Sequence, residues 1–218
     1  MPYGYLGTKA DQTAKNFGVF SANDVADLTK QGKFGGSLEL IEEQTLTSGA
    51  STIEFTNLKE SKYDVHYLTA KIHLDGTADT NYSVDIRVSN DGGSTYESGS
   101  NYQYAYLNTK AEGGIFNERQ STSATGFHFD GAVDKANAST NFYIYFYNLG
   151  DSSKYSFLTF HDTSIISSDY RYRARFGGEV YAVAETINAL QFLTDATQFD
   201  TDTNIKLYGV KQIWVLWD

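Results

Sequence analysis

The sequence lacks several features that define common classes of protein. Its 218 residues contain no cysteine and a single proline. The absence of cysteine excludes disulfide bonds and thiolate metal sites, but it leaves the compartment open because secreted and intracellular proteins can both do without this residue. No stretch approaches the roughly 18 apolar residues of a membrane span, and the first 18 residues contain no apolar segment of the signal-peptide kind. We therefore expect a soluble chain that starts at its own mature end and has no membrane partner.

Basic residues are also scarce. Lysine and arginine number 17 against 27 aspartate and glutamate residues, which gives a net charge of −10. A protein whose main task is to grip phosphate backbones carries the opposite charge. The composition therefore predicts no nucleic-acid partner.

Aromatic residues and turn formers are abundant, with 17 tyrosines, 14 phenylalanines and 19 glycines. Tyrosine and β-branched residues favour strands, whereas Gly, Asn, Asp and Ser favour turns. Apolar and polar side chains alternate most clearly from Tyr82 to Val88, the pattern of a half-buried strand. A chain of this length suits one large sandwich. We predict an all-β fold, an antiparallel and jelly-roll-like β-sandwich with an extended N-terminal arm.

The sequence divides into three parts. Residues 1–36 form a polar, glycine-rich N-terminal arm, 37–212 the β-sandwich domain and 213–218 an apolar C-terminal tail. Phe17 and Phe20 give the arm apolar side chains to bury, either on its own domain or on a neighbour, and the sequence leaves both alternatives open. Trp214 and Trp217 lie in the tail, which we expect to be docked because an apolar end is not left in water.

One strand, predicted around residues 142–147, carries two different rows of side chains. Side chains alternate between the faces of a strand. The two rows are Phe142, Ile144 and Phe146 on one face, and Tyr143, Tyr145 and Tyr147 on the other. We expect the first row to enter the sandwich core and to face the sheet that carries Val84 and Ile86. The tyrosine row then needs a cover, which is either the long, polar excursion from Lys110 to Asn141 or another chain. Within that excursion, only residues 126–130 have the pattern of an extended segment.

An arginine row is predicted in the strand from Tyr170 to Phe176. The alternation places Arg171, Arg173 and Arg175 outward, with Tyr170, Tyr172, Ala174 and Phe176 inward. Three readings are open for the arginines: a solvated outer face, pairing with carboxylates of a neighbouring subunit, or bidentate binding of an anionic sugar or phosphate group.

The sequence shows no catalytic or metal-binding pattern. The four histidines, His66, His73, His128 and His161, are far apart and do not form an H-E-x-x-H motif; no nucleophile elbow or phosphate-binding loop is present either. Adjacent strand residues point in opposite directions, so Glu42 and Glu43 cannot serve one glycosidic bond. Asp200 and Asp202 could line a calcium site, although a solvated turn is favoured. We predict no enzyme activity, no cofactor and no metal.

The segment Ser89–Tyr96, SNDGGSTY, resembles the Asp-box of sialidase propellers, in which Asp and Thr side chains hold a hairpin turn. A propeller needs several copies at regular spacing, and the chain has one. We therefore expect a structural Asx-type hairpin here.

Several segments resemble virion structural proteins of tailed bacteriophages, particularly phages of marine bacteria. They are GVFSANDVADL (18–28), GGSLELIEEQTL (35–46), YDVHYLTAKI (63–72), SNDGGSTY (89–96), FYIYFYNLGDSSKYSFLTF (142–160) and INALQFLTDATQFDTDTNIKLYGVKQ (187–212). The resemblance implies a jelly-roll-like sandwich located in the virion, as a capsid-surface decoration protein or a tail or appendage component. It also implies assembly with capsid or tail subunits, often as a homo-oligomer, and supplies no catalytic residue.

The sequence therefore predicts a protein that works by protein–protein assembly. The predicted interface residues are Phe17, Phe20, Tyr143, Tyr145, Tyr147, Arg171, Arg173, Arg175, Trp214 and Trp217. The alternative is a receptor- or glycan-binding module of the virion, in which exposed tyrosines stack on a host surface glycan. A weaker third hypothesis, a glycan-degrading enzyme, requires two carboxylates that converge in a cleft.

Overall fold

The computed structural model of the chain describes residues 37–75, 81–111, 116–133, 139–165 and 171–211. The predicted N-terminal arm and apolar tail, with Phe17, Phe20, Trp214 and Trp217, lie outside these ranges.

The described chain consists of β-strands, turns and loops. Within it, no helix is long and apolar enough to cross a membrane. The strands are β1 (Leu38–Thr45), β2 (Thr52–Phe55), β3 (Val65–Ile72), β4 (Leu74–Asp75), β5 (Asn81–Ser89), β6 (Tyr102–Lys110), β7 (Phe116–Ala124), β8 (Phe127–Val133), β9 (Thr140–Tyr147), β10 (Ser156–Ile165), β11 (Tyr172–Tyr181), β12 (Ala189–Thr194), β13 (Gln198–Phe199) and β14 (Asn204–Val210).

The strands form an antiparallel β-sandwich, as predicted. One sheet has the order β1-β14-β3-β9-β10-β11-β6-β7 and the other β2-β12-β5-β8, while β4 and β13 make a small separate pair. The set β1-β14-β3-β9 facing β2-β12-β5-β8 has the strand order of an eight-stranded jelly roll. The remaining strands of the large sheet enter as two insertions, β6-β7 and β10-β11. Together they form a four-stranded extension, and β8 packs against β10, β11 and β6 of it.

The core follows the predicted alternation. Phe142, Ile144 and Phe146 of β9 are buried between the sheets. The ring of Phe142 stacks on Phe129 of β8 with centroids 5.4 Å apart. The predicted inner row of this strand is therefore confirmed. Tyr143 and Tyr145 point away from the core and remain partly exposed.

In the predicted surface excursion from Lys110 to Asn141, the extended stretch expected at 126–130 is confirmed as part of β8, whereas β7 is a strand that the pattern does not predict. This segment contains β7 and β8, and Phe127 and Phe129 of β8 belong to the core. Strand β7 could not be recognised from its pattern because it lies at the edge of the large sheet with nearly all its side chains exposed.

The Asp-box segment forms the expected Asx-type turn after β5, but the predicted hairpin is wrong, because β5 and β6 belong to different sheets and do not pair. The carboxylate of Asp91 accepts hydrogen bonds from the backbone N–H of Thr95 at 2.9 Å and from its hydroxyl at 2.7 Å. These bonds favour the ionised form and lower the pKa of Asp91 to about 2. Gly92 and Gly93 have φ of 75° and 89°, a region that glycine enters without strain.

The predicted orientation of the arginine row is wrong. Arg173 and Arg175 are 4% and 1% exposed and face the core, whereas Tyr172 and Phe176 are 49% and 42% exposed on the outer face. The prediction assumed that charged side chains point to solvent. That assumption fails because the neighbouring strand β10 supplies a buried partner at the same level: Asp162 lies directly opposite Arg175.

Arg175 and Asp162 form a two-pronged ion pair inside the sandwich. Nε of Arg175 donates to Oδ1 of Asp162 at 3.0 Å, and Nη2 lies 2.8 Å from Oδ2. Burial raises the pKa of Asp162, while the attraction of Arg175 opposes this shift. Beside this pair, Nε of Arg173 donates to the hydroxyl of Ser164 at 3.2 Å.

Breaking this pair is expected to destabilise the protein. Replacing Asp162 with Asn leaves the Arg175 charge buried without its counter-ion, and a loss of about 3 kcal/mol or more in unfolding free energy is expected, measured by urea denaturation. Asp151→Asn is the matched control, because Asp151 pairs with Lys154 at an exposed turn where solvent screens the interaction. Equal losses in both variants would contradict a stabilising role for the buried pair.

Candidate functional site

The outer face of the large sheet carries a cluster of tyrosines where the jelly-roll strands lie side by side. The ring of Tyr67 on β3 lies 4.8 Å from Tyr145 and 6.3 Å from Tyr143 of β9, and 6.1 Å from Tyr208 of β14, measured between centroids. The strand register explains the cluster, since Tyr208, Tyr67 and Tyr145 are directly paired across three adjacent strands.

Strand β1 continues this surface to the edge of the sheet. Leu40 pairs with Tyr208 and Leu38 with Val210, so both leucines lie on the same face as the tyrosines. Leu38 and Leu40 are 42% and 49% exposed. We call Leu38, Leu40, Tyr67, Tyr143, Tyr145 and Tyr208 the tyrosine patch. Contiguous apolar surface of this kind commonly marks an interaction site.

Two of the three glutamates of β1, Glu39 and Glu43, are paired with lysines. Nζ of Lys62 lies 2.7 Å from Oε1 of Glu39, and Nζ of Lys206 lies 3.2 Å from Oε1 of Glu43. The hydrogen bond from Lys62 is the main cause that lowers the pKa of Glu39. The strand at the border of the tyrosine patch therefore contributes little net charge, in a chain whose overall charge is −10.

A groove of about 1030 Å³ occupies the other half of the outer face, over the four-stranded extension. Its floor is a row of small residues, because Thr159, Gly178 and Ala105 are paired across β10, β11 and β6. The next residue of the row is Gln120 on β7. We call this feature the extension groove.

The wall of the extension groove combines aromatic and polar groups. Tyr147 and Phe157 pair across β9 and β10, and Phe157 is 44% exposed. The hydroxyl of Tyr147 lies 3.3 Å from Oγ1 of Thr159. The exposed side chains of Gln103 and Thr122 complete the lining. Of the described residues that line the groove, the one with a charged type is Glu179, whose side chain is buried below the floor.

Glu179 lies on the inner face of β11, between the groove floor and β8. Its Oε2 accepts a hydrogen bond from the backbone N–H of His128 at 2.8 Å. Complete burial raises the pKa of Glu179 well above its usual range. The His128 ring stacks on Tyr104 with centroids 5.4 Å apart, and its Nδ1 lies 2.7 Å from Oδ1 of Asp85.

The structure brings together only part of the predicted interface set. Tyr143 and Tyr145 belong to the tyrosine patch, and Tyr147 lines the extension groove. Arg173 and Arg175 lie inside the subunit, and Arg171 is partly buried. Leu38 and Leu40 are not among the predicted interface residues, although their alternation with Glu39 is a signal for exposed apolar residues at an edge. Tyr67, Tyr208 and Phe157 carry no such signal in the sequence, because only the strand register places them beside the predicted tyrosines.

Asp200, Asp202 and His66, considered above as possible ligands, lie in a turn or in the core. Among the described residues, no group of three or more His, Asp or Glu side chains could hold a metal ion. Asp200 accepts a hydrogen bond from the backbone N–H of Thr201, in a turn where Asp202 is exposed. His66 is fully buried, and its Nε2 lies 2.8 Å from the carbonyl oxygen of Leu58.

The raised pKa of Glu179 predicts a pH-dependent stability. A folded-state pKa above the unfolded value near 4.5 gives stability that is complete below pH 4.5 and is lost as the pH rises through the folded pKa. Glu179→Gln removes this titration, so the advantage of the variant over wild type should grow from pH 5 to pH 7, by at most about 1.4 kcal/mol per pH unit. Urea denaturation at both pH values measures the difference.

The control for this comparison is Glu43→Gln. The carboxylate of Glu43 lies at the surface with its pKa lowered, mainly by a hydrogen bond from Asn204, so its removal should not become favourable as the pH rises. If Glu179→Gln has the same effect at pH 5 and pH 7, Glu179 does not titrate as the burial requires.

Comparison with known proteins adds no relative to this picture. No protein-family model matches the chain, and no curated protein shows significant sequence similarity to it.

Proposed function

We propose that this protein is a structural subunit of a tailed-bacteriophage virion, a capsid-surface decoration protein or a tail component, and that it assembles as a homo-oligomer through the tyrosine patch. The virion location rests on the resemblance of the quoted segments to phage structural proteins. The mode of assembly rests on one observation, the contiguous and partly exposed patch on the outer face of the jelly-roll strands.

The composition of the patch supports a protein partner. Tyrosine is enriched in protein interfaces because its ring buries apolar area while its hydroxyl can still form a hydrogen bond. Two leucines at the sheet edge extend the apolar surface, with Leu40 about half exposed. Burial of these side chains against a partner removes apolar area from water and favours association.

The charge distribution supports a second copy of the chain as that partner. Two copies that each carry −10 repel one another wherever unpaired acids face each other. The tyrosine patch reduces this repulsion because its own residues are uncharged, and Glu39 and Glu43 of the bordering strand are paired with lysines. A two-fold axis would place patch against patch, the common arrangement of homodimers.

Sedimentation velocity over a range of concentrations tests the proposed assembly. Wild type is expected to form dimers or larger oligomers, and Tyr145→Glu to weaken association at least about 30-fold, because it places a charge in the patch. Phe116→Glu is the matched control: Phe116 is 61% exposed near the opposite edge of the same sheet, and its variant should associate like wild type.

A monomeric wild type at all accessible concentrations, or equal weakening in both variants, would contradict association through the patch. The virion location is tested separately, by mass spectrometry of purified particles of a phage that encodes the chain. Peptides of the protein are expected in the particles, and their absence would overturn the virion assignment.

A further inference from the structure

The extension groove borders the tyrosine patch, since Tyr145 of the patch pairs with Thr159 of the floor, but it has a different chemistry. Its floor lies on β10, β11 and β6, which enter the sheet as insertions into the jelly roll, whereas the patch lies on β1, β14, β3 and β9. We propose that the groove is a binding site for a neutral oligosaccharide. This inference goes beyond assembly and does not depend on it.

Among the described residues that line the groove, no charged side chain is exposed. The outward-facing lining consists of amide, hydroxyl, aromatic and small aliphatic side chains, and the carboxyl group of Glu179 is buried beneath them. Phosphate, sulfate and carboxylate ligands are bound by arginine, lysine or clusters of backbone N–H groups. The net charge of −10 would also repel an anionic ligand. The charge distribution therefore favours a neutral ligand.

The groove combines a flat apolar surface with groups that both donate and accept hydrogen bonds. Phe157 exposes its ring on the groove wall, where the apolar C–H face of a sugar ring can pack. Gln103 and Gln120 each offer an amide, and Thr159 a hydroxyl, so each side chain has both a donor and an acceptor. Sugar hydroxyls have the same dual character, which a purely apolar or a charged lining does not match.

The shape of the floor also suits an extended ligand. The row Thr159, Gly178 and Ala105 crosses three strands with side chains of at most three heavy atoms, next to the row that holds Tyr147, Phe157 and Val180. The step between these rows makes the groove. Its volume of about 1030 Å³ is at the upper end of the usual range for small-ligand sites, which favours a ligand of several sugar units over a single one.

A glycan array of neutral and anionic oligosaccharides at near-physiological salt tests the proposal on the full-length protein. At least one neutral oligosaccharide is expected to bind, and titration calorimetry with that compound should show at least tenfold weaker binding for Phe157→Ala. Tyr172→Ala is the matched control, because Tyr172 is 49% exposed on the same face and does not line the groove; its affinity should equal that of wild type.

Two further variants separate the groove from a loss of folding. Gly178→Val places a side chain in the floor and should abolish binding, but its Cβ would lie 3.2 Å from the carbonyl oxygen of Leu158, so its melting temperature must be measured. Gln103→Ala only removes side-chain atoms, so it creates no close contact of this kind. It leaves the floor intact and should weaken binding at least fivefold.

Three results would overturn the inference: no neutral oligosaccharide of the array binds, only anionic glycans bind, or binding is unchanged in both Phe157→Ala and Gln103→Ala. None of these results bears on self-association, which is measured on Tyr145→Glu without any sugar present.

Discussion

The buried ion pair between Arg175 and Asp162 joins β10 and β11, the two strands that connect the jelly-roll strands of the large sheet to β6 and β7. These residues lie opposite each other on β10 and β11, between the two sheets and out of contact with solvent. A carboxylate and a guanidinium in such a place are tolerated only together, because either one alone would be an uncompensated charge in a medium of low polarity. The inner face of the extension therefore differs from the rest of the core, which is built from aliphatic and aromatic side chains.

This arrangement leaves the two faces of the large sheet with different tasks. The inner face is covered by the four-stranded sheet, and β8 of that sheet reaches over the extension. The outer face divides into the tyrosine patch on the jelly-roll strands and the extension groove on the inserted strands. The patch suits a protein surface because it is apolar and tyrosine-rich, whereas the groove suits a polar and neutral ligand. The two proposals can therefore hold or fail independently.

The sequence was a good guide to the fold and a partial guide to the site. Composition, chain length and alternation predicted the all-β sandwich, and alternation predicted the inner row of β9, which depends on one strand only. Two wrong predictions and one omission have a common cause. The inward orientation of Arg175, the existence of β7 and the place of Tyr67 beside Tyr145 all depend on which strand lies next to which. Side-chain periodicity within a strand carries no information on its neighbours, and the most informative strands here enter as insertions.

Hydroxyl-radical footprinting at concentrations above and below self-association tests most directly the central claim, that the outer face is divided between assembly and ligand binding. The account predicts that association protects Tyr67, Tyr143, Tyr145 and Tyr208 and leaves the reactivity of Phe157 unchanged. Addition of a bound neutral oligosaccharide should then protect Phe157 and leave the four tyrosines as they were. Protection of Phe157 by association, or of the tyrosine patch by the sugar, would contradict the division.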